Sequence, residues 1–480
     1  MLDRKDKKEH VEDDFSVSIE RTSGAEPVAD GVFGAADDSG DQRRGPNYTN
    51  VGWIRASVLL MKAQIGLGVL GIPQVFSTVG LVPGIILILV IAAMTTFSSV
   101  IIGHWKVNHP ATHSIADVGK TMGGVVGREV LGGIYWLYMT CISGSGMLSI
   151  AIAFNTFSEH GACTVVFVVV AAILVFLFSS IRTLDRVTIL GWIGLVSIVA
   201  ALLTLAVAVG VQDRPAAAPQ PPAVWDKEIR VFATPTFAEA ASSLGTIVFA
   251  FGGTPGFFNV VAEMRNPRDF TKTVLLTQSF VTLIYIVIGI VVYVFCGDQV
   301  ASPALGSAGV LMQKVCYGIA FCALLVGSVI YTHLPAKYIF VRILRGSKHL
   351  TSNSLVHWAT WLSCVGGTTL LAFIIAEAIP VFGGLISLVG ALFGTIMSIV
   401  VTGIMFFHDH WWRPTENAAG RPKSNGWYRV MLLFSAFMIV GGLTITAAGT
   451  YGAVEGIIQL SEDSTLSSFS CADNSGLAGR

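Results

Sequence analysis

Residues 62 to 74, KAQIGLGVLGIPQ, set a cation, Lys62, just ahead of Gly66, Gly68, Gly71 and Pro73 within a long apolar run. Glycine and proline loosen a helical ladder and leave backbone N–H and C=O groups without intrahelical partners. In an apolar medium such groups are costly unless they face protein, water or a ligand. A second stretch, FAFGGTPGFF at 249–258, interrupts another apolar run around Pro255. The N-terminus of a broken half-helix carries partial positive charge and suits a carboxylate. The released carbonyls suit an ammonium or a metal cation, and an α-amino acid presents both groups. A single glycine-rich span such as GSGMLSIA at 144–151 is read as close helix packing. Two breaks at matching positions of two halves are read as a mid-membrane binding site.

Lys62 lies seven residues beyond Arg55, or ~10 Å deeper along a helix. It either snorkels back to the cytosolic surface or stands as a fixed or titratable ammonium beside the break, where a metal cation would otherwise sit. Ser328, Thr332 and His333, followed by Pro335, are polar groups at membrane depth. The hydroxyls of Ser328 and Thr332 are candidates for cation coordination or cavity lining. Tyr135 and Tyr138 are candidate gates, and Glu263, near Arg265 and Arg268, is a candidate for an inner-gate salt-bridge network.

Two further patterns have enzyme-like composition. NHPATHSIAD spaces His109, His113 and Asp117 by four, and HDH follows at 408–410. Pro110 argues against a helix through His109, and the remaining histidines are dispersed, so no metal is assigned. No Ser/His/Asp set falls on one face, and no GxxxxGK[ST] phosphate loop occurs. Catalysis and ATP-driven pumping are therefore excluded, and no cofactor is expected. The seven cysteines show no metal spacing. Most (Cys141, Cys296, Cys316, Cys322, Cys364) sit in apolar runs and are read as packing residues.

The elements that must position these residues follow from composition. The 480 residues are 53% hydrophobic and 12% charged, against about 25% charged in soluble domains. Apolar runs of about 20 residues recur, each long enough to span a bilayer. They lack the alternation of barrel strands, so the fold is an all-α polytopic membrane protein. Eleven spans are expected: 54–80, 82–103, 130–153, 163–181, 187–211, 236–262, 272–296, 308–333, 354–376, 382–407 and 430–451. With a cytosolic N-terminus, 24 of the 30 Lys and Arg residues fall on the cytosolic side, four opposite and two within spans. An odd count puts the C-terminus outside. Residues 1–50 read as a disordered cytosolic tail, which leaves the sequon at Asn47 unused. Residues 51–211 hold spans 1–5, and 212–235 form a Pro-rich, extended extracytosolic loop. Residues 236–407 hold spans 6–10, 408–429 a cytosolic loop, 430–455 span 11, and 456–480 an extracytosolic tail. Net charge is zero, with no bias toward nucleic acid.

KAQIGLGVLGIPQVFSTVG resembles the span 1 signature of the amino acid/auxin permease family. HSIADVGKTMGGVVG is similar to its loop between spans 2 and 3. FAFGGTPGFFNVVAEMRNP resembles its span 6 in the form used by fungal neutral amino acid permeases. The resemblance covers roughly residues 48–455. It implies a leucine-transporter-type fold, two inverted five-helix repeats plus an eleventh helix, and secondary transport of amino acids. It implies substrate contacts from the backbone of Ile65, Gly66 and Gly68 and from Phe249, Phe251, Gly252 and Thr254. Proton-coupled members often carry Lys at the position of Lys62, which favours protons. Thr332 matches half of the family's sodium site, which keeps sodium open. With no acid or base beside the breaks in span 6, neutral substrates are preferred.

The expectation is thus a proton-coupled symporter of neutral amino acids in the plasma membrane. Its alternatives are a sodium-coupled or vacuolar transporter of the same fold and a non-transporting amino acid sensor. Its partners are the substrate and the lipid bilayer, with oligomeric state open.

Overall fold

The computed structural model describes residues 51–181, 187–215, 218–219, 225–347, 349–350, 354–412, 426–463 and 467–475. The tail over 1–50 with Asn47, and most of the loop over 408–429, lie outside the described residues.

Every element named is helical. Span 1 is built from α1 (Trp53–Gln64), a short 3-10 turn at Gly68–Gly71 and α2 (Ile72–Val79), and its two halves bend by 42°. Then come α3 (Leu81–Asn108), α4 (Ile115–Ser158), α5 (Thr164–Ser179) and α6 (Val187–Val211). Span 6 is α7 (Phe237–Ala250), a 3-10 turn at Thr254–Gly256 and α8 (Phe257–Glu263). Spans 7, 8 and 9 are α9 (Phe270–Cys296), α10 (Val310–Ile343) and α11 (Leu355–Ala378). Span 10 starts with α12 (Phe382–Val389), widens through π-helical turns at Gly390–Gly394 and Ile396–Val400, and ends in α13 (Val401–Phe407). The chain closes on α14 (Gly426–Asp463), which runs past the expected end of span 11.

Among the described residues, nine helices are long and apolar enough to cross a membrane, and the bent pair makes a tenth. The 16-residue apolar α5 is ~24 Å long at 1.5 Å per residue and occupies the place of span 4. The expected eleven are each met by a helix at the expected position. The breaks are local in origin: Pro73 and Pro255 each sit in the first turn after an interruption, where a missing N–H costs least.

Reciprocal side-chain caps start two of the helices, and α4 leaves the helical path at Gly123 and Gly124 before the stretch that carries Tyr138 to the site. Ser114 and Asp117 form a capping box at α4, and Thr236 and Glu239 form one at α7. Asp117 Oδ2 thereby accepts from the backbone N–H groups of His113 and Ser114 and from the Ser114 hydroxyl. Gly80 joins α2 to α3 at φ +91°, with Ala233 N 2.7 Å from where a Cβ would stand. Only glycine takes that conformation beside that neighbour. The N–H groups of Leu81 and Val82 donate to Arg230 and Val231 of the Pro-rich loop, which so lies against the start of α3.

One reading of the cysteines needs correction. Cys163 and Cys471 form a disulfide, joining the start of α5 to the C-terminal segment 467–475. Hydrogen bonds extend the seam: Thr164 Oγ1 donates to Ala472 C=O, Asn155 Nδ2 to Asn474 Oδ1, Gln313 Nε2 to Ser475 C=O and Ser468 Oγ to Ala378 C=O. The segment therefore ties together one end each of α4, α5, α10 and α11. Beside it Lys314 pairs with Glu159 at 2.6 Å, and that bond holds the Glu159 carboxyl below the usual carboxylate range. Sequence spacing could not reveal a bridge across 308 positions. Replacing both cysteines with serine is expected to cost about 2–5 kcal/mol, read as a lower unfolding temperature of the purified protein. An unchanged temperature would mean the hydrogen bonds alone hold the segment.

Candidate binding site at the paired helix breaks

The breaks in spans 1 and 6 meet. At Gly68 a Cβ would press on the backbone of α7, with Ala250 Cβ 2.8 Å and Ala250 N 3.1 Å away. Small residues permit such crossings, and this one sets the two interruptions side by side.

Five carbonyls at the crossing lie within hydrogen-bond reach of side-chain donors. Tyr331 of α10 donates to Ala63 C=O at 2.7 Å. The Tyr285 hydroxyl of α9 lies 2.8 Å from both Gln64 C=O and Ala250 C=O. Gln64 Nε2 donates to Phe251 C=O at 3.2 Å, and Tyr138 of α4 donates to Gly252 C=O at 2.9 Å. Buried backbone groups are costly when unpaired, so these four side chains are what makes two broken helices stable in an apolar setting. Tyr285, Tyr331 and Gln64 escaped the sequence reading. The signal was present, since each is a polar tip in the middle of an apolar run next to, or facing, a break.

Between the breaks lies a cavity with a free volume of about 30 Å³, room for roughly two waters. It gathers Lys62, Gly66, Gly68, Tyr138, Phe249 and Gly252 from the expected residues, and adds Gln64, Gly253, Ile142, Ile198, Leu324, Gly327 and Tyr331. The other candidates stand elsewhere. Ile65 and Phe251 are fully buried in the core. Phe251 packs edge-on against Tyr285 at 5.0 Å, and only its carbonyl, already bonded to Gln64, takes part in the break. Thr254 is fully buried, with its hydroxyl unpaired, outside the lining. Phe251→Ala is therefore expected to cost about 3 kcal/mol of stability and to leave substrate ranking alone, whereas Phe249→Ala re-ranks substrates. Competition by a panel of amino acids, with unfolding temperatures in parallel, separates the two.

Lys62 does not reach back to the surface. It is 6% exposed, and its ammonium donates to Ala323 C=O of α10 at 3.4 Å. Gly194 of α6 makes room for it, since a Cβ there would stand 3.1 Å from Lys62 Cδ. Among the described residues no carboxylate forms a salt bridge with it. Ser328 and Thr332 are already paired: Ser328 Oγ donates to Leu324 C=O, and Thr332 Oγ1 shares a 2.5 Å bond with Ser143 Oγ of α4.

Tyr135 lies one turn from Tyr138 and packs edge-on against Tyr338 of α10 at 6.0 Å. Glu263 ends α8, within electrostatic reach of Lys337 of α10. Beside it Val51 N–H donates to Glu263 C=O and Arg265 N–H to Val51 C=O, which pins the start of span 1 to the end of span 6.

The histidine motifs combine differently from their spacing. His109 Nε2 lies 2.8 Å from Asp409 Oδ1, His408 Nδ1 lies 3.4 Å from the same oxygen, and Asn108 Nδ2 donates to Asp409 Oδ2. The potential ligand atoms of His109, His408 and Asp409 fall within 4.8 Å of one another. They already satisfy each other as hydrogen-bond partners, and the set joins the end of α3 to the end of α13.

Comparison with known proteins agrees with this architecture. The family described as transmembrane amino acid transporter protein matches residues 49–455. A transmembrane transporter of Fusarium pseudograminearum is 34% identical over 433 residues, covering 90% of this chain and 89% of its own. The N amino acid transport system protein of Neurospora crassa is 34% identical over 431 residues, covering 88% and 89%. Among solved structures, that of MhsT in complex with L-phenylalanine superposes with a TM-score of 0.57 at 10% identity, covering 84% of this chain and 99% of the other. That likeness establishes the leucine-transporter-type fold. The chain is a multi-pass membrane protein and not an enzyme; it belongs to the transmembrane amino acid transporter family, whose work is to carry amino acids across membranes.

Proposed function

We propose that the chain is a proton-coupled symporter of neutral amino acids that works by alternating access around broken spans 1 and 6. The observation that carries this reading is the cavity at the crossing, lined by apolar side chains, the polar tips of Gln64, Tyr138 and Tyr331, and one cation, Lys62. Phe249, Ile142, Ile198 and Leu324 offer an apolar surface to an aliphatic or aromatic side chain. A charged side chain there would lack a dedicated partner. The phenylalanine held by MhsT supports a neutral substrate for this fold.

Lys62 is the proposed carrier of the coupling proton. A lysine's proton affinity responds strongly to burial, and this ammonium touches both the break and α10. Its loss or gain of a proton changes what holds α1 against α10. Ser328 and Thr332 are committed to α10 and α4 packing, which favours protons over sodium. With room for only about two waters, the cavity must widen to admit an amino acid. In this reading spans 1–5 and 6–10 are inverted repeats, and one bundle rocks against the other around the site. The ties of Val51 to Glu263 and Arg265 then belong to the inner gate.

The proposed membrane is the plasma membrane, with a cytosolic N-terminus. The excess of Lys and Arg supports that orientation. So does the Cys163–Cys471 bridge, which suits an oxidising compartment on the face opposite the basic loops. Uptake of radiolabelled leucine and phenylalanine into proteoliposomes, under an imposed proton gradient and then a sodium gradient, tests the reading. Accumulation driven by inward protons is expected. Accumulation driven by sodium alone would remove the role given to Lys62, and binding without flux under either gradient would make the protein a sensor.

A further inference from the structure

Gln64 ends α1 at the break, is 2% exposed and lines the central cavity. Its amide nitrogen donates to Phe251 C=O. A carbonyl can only accept, so this bond fixes which end of the amide is which. The oxygen, Oε1, is then turned elsewhere, and it is buried without a partner. A buried acceptor left unpaired is costly and calls for an explanation. Backbone acceptors around it already have donors: Ala63 C=O accepts from Tyr331, Gln64 C=O from Gly66 N–H, Ala250 C=O from the single O–H of Tyr285, and Gly252 C=O from Tyr138. Lys62, the charged residue of the lining, carries donors only. The other orphan at the break, Thr254 Oγ1, lies outside the lining.

We infer that Gln64 Oε1 accepts a hydrogen bond from the α-ammonium of the transported amino acid and selects for it, an assignment that rests on the transport reading above. The substrate supplies the donor that Oε1 is without, while the other ammonium at the cavity, Lys62 Nζ, donates to Ala323 C=O. In the same side chain, Nε2 holds the break in span 6, so occupancy of the site is read directly by the contact between the two interrupted helices.

The test is affinity of the purified full-length protein for L-leucine and for 4-methylpentanoate, which has the same carbon skeleton and carboxylate but no ammonium. Wild type is expected to prefer leucine strongly. Gln64→Leu removes the acceptor and the tie to Phe251 C=O together, so both ligands are expected to bind more weakly, leucine by a further factor of about 10 to 100, the range of one hydrogen bond to a charged group. Gln64→Glu keeps an acceptor oxygen and loses the donor to Phe251. It is expected to hold leucine within about fivefold of wild type, because the ionic acceptor is the stronger kind, and to keep the discrimination. Equal losses for both ligands in either variant would overturn the assignment and leave Gln64 a structural brace. An unchanged leucine affinity in Gln64→Leu would overturn it as well. Wild type that binds no neutral amino acid would overturn the transport reading, and this assignment with it. The Gln64→Glu arm decides even if Gln64→Leu does not fold.

Discussion

Lys62→Ala is expected to uncouple uptake from the proton gradient. Concentrative uptake of leucine driven by inward protons should fall by roughly tenfold or more, a usual size for coupling between two sites. Exchange of internal for external leucine should persist, because the cavity and its carbonyl ties remain. The side chain is buried between α1, α6 and α10 and bonded to Ala323 C=O, so its removal deletes a contact that joins span 1 to span 8. Lys62→Arg is expected to fail in the same way. A guanidinium does not release its proton in proteins, and it is larger than the slot opened by Gly194. An unaltered pH dependence of uptake in Lys62→Ala would move proton coupling to another group.

Gly68→Val is expected to abolish uptake outright. From sequence alone the reason would be a side chain filling the cradle for a carboxylate. In the structure the side chain runs into the backbone and Cβ of Ala250, and backbone cannot rotate away. The two broken helices would be forced apart, and the carbonyl ties from Gln64, Tyr138 and Tyr285 would go with them. The companion Gly66→Ala separates the two reasons. A Cβ at Gly66 meets only Lys62, with Nζ 3.8 Å and the carbonyl oxygen 4.0 Å away, both ordinary contacts. It is expected to leave the protein folded and to lower substrate affinity several-fold by crowding a cavity of about 30 Å³. Transport by Gly68→Val at wild-type rate would remove the crossing from the site. The checks are initial uptake rates normalised to protein at the membrane, with the unfolding temperature of each variant.

The sequence by itself determined the all-helical membrane class and the two breaks. Hydropathy acts locally: about 20 apolar residues must span, whatever their neighbours. Glycine and proline weaken their own helix wherever they stand. The chemistry at the breaks was legible for the same reason, since Lys62, Gly66, Gly68 and Phe249 lie within or beside the interruptions that form the cavity.

Only the tertiary structure decided which groups face one another. Helix phase placed Phe249 in the cavity and Phe251 against Tyr285, two residues apart in sequence and on different faces. Packing turned Ser328 and Thr332 toward α4 and joined Cys163 to Cys471. It also set His109 beside Asp409 across 300 positions. A serine or threonine hydroxyl in a membrane helix can fall back on a carbonyl of its own helix, as Ser328 does on Leu324, but an unpaired carbonyl at a break must find its donor across space. That requirement appointed Tyr285, Tyr331 and Gln64 to the breaks. It is settled by how helices pack, which the order of residues along one helix does not encode.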